Sequence, residues 1–147
     1  MKTILHAMFG VLSFGLILAS LISSLVVEIW YSQGEIADIK ALVIQFILLL
    51  LVLLGFATLL GLSLGKTRRG QIVETKKKRM AWIFAIAVLI FLPIAYVLNQ
   101  YAKQGQFNWI YFVLQSIEYV FDIIFLILLG LNMRDGSILV RQSEGRF

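Results

Sequence analysis

The sequence contains no cysteine. That excludes disulfides, iron–sulfur ligation and thiol catalysis. It has a single histidine, His6, which cannot by itself build a bis-histidine haem site or a histidine-rich metal site. No metal or other cofactor is therefore expected. Proline occurs once, at Pro93. Charged residues make up 14% of the chain, well below the roughly 25% usual in soluble proteins. There is no P-loop, nucleophile elbow, HExxH or dinucleotide fingerprint, so the chain is not expected to be an enzyme.

What is abundant is apolar surface. Hydrophobic residues account for 61% of 147 positions, against about 45–50% in a soluble domain. They gather in four runs, 4–27, 41–65, 80–98 and 107–131. Each is near the ~20 residues needed to cross ~30 Å of hydrocarbon as a helix. The connections are too short for a soluble domain. The sequence thus predicts an all-α integral membrane protein, a single membrane domain over 1–147. The lysine-led apolar start looks like a signal peptide, but its run exceeds the usual 7–15-residue apolar region and is read as a transmembrane helix.

The formal net charge is +5, and most of it sits between the second and third runs. Lys66, Arg68, Arg69, Lys76, Lys77, Lys78 and Arg79 face a single Glu74 over 66–79. This placement argues for membrane topology and against a nucleic-acid partner. By the positive-inside rule the basic loop is cytoplasmic, so both termini are as well. Arg68, Arg69, Lys76, Lys77, Lys78 and Arg79 are also candidates for contact with anionic lipid or a partner. Four spans with short connections predict an up-and-down antiparallel bundle. The segments 28–40 and 132–147 read as a turn region and a short C-terminal tail. Pro93 predicts a kink in the third span.

The fourth run carries acids where lipid would not accept them. Asn108, Tyr111, Gln115, Glu118 and Asp122 follow helical spacings of three and four, which place them on one stripe. A charged carboxylate at the bilayer centre costs about 2.5–3.5 kcal/mol on insertion scales. Glu118 and Asp122 should therefore face another helix, water, a proton or a cation. The first run has its own small and polar stripe through His6, Gly10, Ser13, Ile17, Ser20 and Ser24. Counted from the middle of each run, Ser13 matches Asp122 in depth and Ser20 matches Gln115. If these helices pack, the two stripes meet in a polar seam open to the outside through Tyr111 and Asn108. Phe125 and Leu129 would plug it from below. No lysine or arginine lies within the four runs, so no intramembrane ion pair within the chain is expected. The second run shows Ala57, Gly61 and Gly65 at intervals of four, a small-residue face suited to close helix packing.

The stretch LHAMFGVLSFG resembles the first helices of several small bacterial membrane families, copper-resistance-type proteins among them. With one histidine and no cysteine, the chain has no evident donor set for copper. Two functions remain as expectations. The first is an accessory or scaffolding subunit of a larger membrane complex, with a membrane-protein partner or further copies of itself. The alternative is an oligomeric protein that conducts or senses protons or small cations. Either would sit among membrane lipids as a multi-pass protein of a bacterial inner membrane.

Overall fold

The computed structural model describes residues 2–65 and 70–145. Among these it contains four helices long and apolar enough to span a membrane. They are α1 (Lys2–Trp30), α2 (Gln33–Gly65), α3 (Gln71–Lys103) and α4 (Trp109–Glu144). All four run beyond the apolar stretches that mark them in the sequence.

The helix ends explain the extra length. Ser32 donates its backbone N–H and its hydroxyl to the Glu35 carboxylate, at 2.9 and 2.6 Å. This is the reach-back half of a capping box, and it starts α2 at Gln33. Most of the expected 28–40 turn region is therefore helix. α3 starts at Gln71, nine residues before its apolar run, so Lys76–Arg79 belong to a helix and not to a loop. α4 likewise runs through most of the expected C-terminal tail. Asn108 caps α4 by accepting the Tyr111 backbone N–H at 3.1 Å. Between α3 and α4 the chain turns with φ 65° at Gly105, a left-handed angle that glycine reaches without strain. Gly105 N–H reaches the Ala102 carbonyl, and Gln106 N–H the Tyr101 carbonyl, which closes the helix end as a Schellman motif.

Each helix turns one heptad-like stripe inward. On α2 the buried positions are Ile36, Lys40, Val43, Ile47, Leu50, Leu54 and Ala57, in alternating steps of four and three. On α1 they are Ser13, Ile17, Ser20, Ser24 and Val27. On α4 the stripe runs from Tyr111 through Gln115, Glu118, Asp122, Phe125 and Leu129 to Asn132. That of α3 passes through Met80, Ile83, Ala87, Phe91, Ala95, Leu98 and Ala102. There one step that a regular stripe would make as three is made as four. The extra residue falls in a π-helical segment, Ala87–Phe91, because a π turn holds one residue more than an α turn. Pro93 follows two residues later. Its ring has no N–H and presses on the carbonyl four residues back, which the wider turn accommodates.

The contacts show consecutive helices running in opposite directions. His6 meets Ala57 while Ser24 meets Lys40. Arg79 meets Asp135 while Phe91 stacks on Phe125. α1 packs on α2 and α4, and α3 closes the ring against α2 and α4. The outward faces are apolar, with Leu59, Leu89 and Ile127 exposed. Trp30, Tyr31 and Trp109 are exposed at one end of the bundle and Trp82 toward the other, an arrangement compatible with interfacial aromatic belts.

Candidate functional site

A buried charge network occupies the bundle toward the end where α1 meets α2. Its centre is Lys40, 1% exposed. The Lys40 ammonium lies 3.0 Å from Glu118 Oε2. It donates to Gln115 Oε1 and, at 3.3 Å, to the Ser24 hydroxyl. Glu28 Oε1 lies 4.0 Å away. Gln115 Nε2 in turn donates to Glu118 Oε2 at 2.6 Å. A second link between α1 and α4 is made by Tyr111, whose phenol donates to Glu28. Tyr119 adds a longer contact to the Ser24 carbonyl at 3.4 Å. A buried lysine needs this many acceptors, since an unpaired buried charge is strongly disfavoured.

This network overturns the expectation that no ion pair forms inside the bundle. Lys40 falls in the expected turn region, just outside the apolar run that begins at Ala41. In fact α2 starts at Gln33, and Lys40 falls on its inward stripe between Ile36 and Val43. Two signals pointed to this. Ser32-x-x-Glu35 is a helix-start pattern, and the stripe through Val43 and Ile47 extends backward onto Lys40 and Ile36. Glu28 was also missed, because it lies at the end of its run where acids are usually solvated.

The expected site residues are all buried, but they are not all joined. Tyr111, Gln115 and Glu118 belong to the Lys40 network. Ser13 is turned to its own helix and donates to the Phe9 carbonyl at 2.7 Å. The Ser20 hydroxyl has no protein partner, and neither does either carboxyl oxygen of Asp122 or Oε1 of Glu118. Asp122 is 0% exposed. It sits one helical turn past Glu118, above the Phe91–Phe125 stack with its 5.6 Å centroid separation. The outer mouth of the expected seam is closed. Tyr111 is buried against Glu28 and Phe107, and Asn108 is engaged as a helix cap.

The small-residue face of α2 meets α1 at its start. Ala57 is buried, and its carbonyl accepts from His6 Nδ1 at 2.9 Å. A Cβ on Gly61 would stand 3.2 Å from His6 Cε1. Gly65 ends α2.

The basic residues divide. Arg79 is not a lipid-facing charge but a clasp between α3 and α4, with its guanidinium 2.8 Å from Asp135 Oδ2 and 3.1 Å from Asn132 Oδ1. Asn132 Nδ2 also approaches Met80 Sδ at 2.8 Å, and Arg134 adds a second cation to Asp135 at 3.2 Å. Lys77 pairs with Glu74 at 3.3 Å, while Lys78 is exposed. Lys76 and Lys77 border a cavity at this end. Arg68 and Arg69 lie outside the described residues. Among the described residues no three His, Cys, Asp or Glu side chains gather as a metal ion would require.

No known protein family, curated protein or solved structure matches the chain.

Proposed function

We propose that this chain conducts or senses protons or small cations across a membrane, using Asp122 and Glu118 as the exchanging carboxyls and Lys40 as their fixed counter-charge. The observation that carries this is Asp122, wholly buried and without a partner for either oxygen. The one buried ammonium nearby is engaged by Glu118. A carboxyl with no donor at either oxygen has its lone pairs open to an incoming proton or cation. Glu118, at i−4 on the same face, is the natural acceptor for that proton. Gln115, Tyr111 and Glu28 extend the polar groups toward the outer end, while Phe91 and Phe125 bar passage toward the basic end. Opening would require movement at that aromatic stack, next to the π segment of α3.

The orientation follows from charge. Among the described residues, Lys2, Lys76, Lys77, Lys78, Arg79, Arg134 and Arg141 belong to the end where α1 starts, α2 and α3 meet and α4 finishes, and only Lys40 and Lys103 lie toward the other. By the positive-inside rule that end is cytoplasmic, in a bacterial inner membrane.

The test is flux into proteoliposomes holding an internal pH dye, with a potential imposed by potassium and valinomycin. The wild-type chain should acidify the lumen, and Asp122→Asn and Glu118→Gln should both abolish the signal while keeping the fold. An accessory or scaffolding subunit is the second reading. It is supported by the pairing of Glu118 with Lys40 inside the chain, because a self-satisfied polar core can serve to set helix register alone. An inert wild-type chain, with function in cells retained by both variants and co-purification with another membrane protein, would overturn the proton reading in favour of that one.

A further inference from the structure

The opposite end of the bundle contains a separate feature that the carboxylate network does not use. Two adjoining cavities of about 90 and 240 Å³ open among all four helices, sharing walls at Thr3, His6, Lys76 and Gly136. The larger exceeds the about 150 Å³ at which a dry apolar cavity takes up benzene. Its walls are largely apolar, through Val11, Leu54, Met80 and Leu129.

Its side opening lies between α1 and α4. There Val11 and Met133 line the cavity and are also exposed, by 55% and 39%. Both are apolar, so the opening faces hydrocarbon rather than water. The polar groups gather at the other limit, near the helix ends. His6 donates from Nδ1 to the Ala57 carbonyl, which leaves Nε2 as an acceptor in the neutral ring. Glycines make room for the basic side chains. A Cβ at Gly136 would stand 3.1 Å from the Lys76 ammonium, and one at Gly61 would crowd the His6 ring. The nearby carboxylate of Asp135 is already held by Arg79 and Arg134.

We infer that this cavity binds one acyl chain of an anionic amphiphile, with the chain entering between α1 and α4 and the acidic headgroup lying at Lys76 and Lys77. An apolar cavity with a lateral apolar mouth fits a hydrocarbon tail. Lysines at its polar limit fit a phosphate or carboxylate. The same chemistry is offered by an anionic phospholipid and by a free fatty acid. The inference does not depend on Asp122 or Glu118.

Native mass spectrometry of the full chain in mild detergent tests it, with dioleoyl phosphatidylglycerol, dioleoyl phosphatidylcholine and oleate as probes. Wild type should retain one phosphatidylglycerol in preference to phosphatidylcholine by about fivefold or more, since each lysine near an anionic surface contributes about that factor. Lys76→Gln should lower that preference by about fivefold. Gly136→Leu and Gly10→Leu should each displace the lipid by filling its seat. At Gly10 an added Cβ meets only Met133, at 3.9 Å, so that variant keeps the test usable if Gly136→Leu does not fold. Retention of oleate with no phosphatidylglycerol would assign the cavity to a free fatty acid. Equal binding of the two phospholipids by wild type, or undiminished binding by either folded leucine variant, would overturn the inference.

Discussion

Removing the Lys40 ammonium would leave Glu118 buried with only Gln115 to satisfy it. Breaking a buried ion pair from one side costs about 3–5 kcal/mol, because a bare charge remains. Lys40→Met should therefore lower thermal stability in detergent sharply. Replacing both partners with apolar residues removes that charge, so Lys40→Met with Glu118→Leu should be more stable than Lys40→Met alone. A double variant less stable than the single would mean that the Lys40–Glu118 pair is not what holds these three helices together. Asp122 differs from Glu118 at this scale. It has no partner to lose, so Asp122→Asn should change stability little while changing any proton-linked signal.

At the scale of the helix, α2 shows why small residues on one face are not equivalent. Gly61 and Gly55 are both glycines in the same apolar helix. A Cβ on Gly61 would meet the His6 ring, whereas one on Gly55 would meet nothing within 4 Å. Overpacking a tight contact typically costs about 1–3 kcal/mol. Gly61→Leu should thus destabilise the bundle by that order, and Gly55→Leu should leave the melting temperature near wild type. Equal effects at both sites would place α1 and α2 differently from the packing described here. In α3 the π segment answers a similar constraint. Without its extra residue, the inward positions before Phe91 and after it would not share one face.

For the whole molecule, the proposed orientation rests on the uneven distribution of basic residues. Cysteine introduced at Lys77 should resist a membrane-impermeant maleimide in intact cells and react after permeabilisation. Cysteine at Gln104, in the turn after α3, should react in intact cells. The opposite pattern would invert the proposed topology and turn the Tyr111–Glu28 end toward the cytoplasm.

The existence of four apolar helices was determined by sequence alone, since in hydrocarbon every backbone polar group must be paired within its own segment. So was the acidic stripe of α4, because helical spacing assigns residues to a face without knowledge of any neighbour. Tertiary structure decided what faces that stripe. Lys40 reads as a loop residue when only the apolar run is counted, and its role depends on where α2 starts and on which helices surround it. Arg79 likewise reads as one of a basic run until Asn132 and Asp135, more than 50 positions away, come within reach of its guanidinium. Pairing partners distant in sequence are fixed by packing. That is why Asp122 could be placed on a buried face from the sequence, while its lack of any partner could be seen only in the folded bundle.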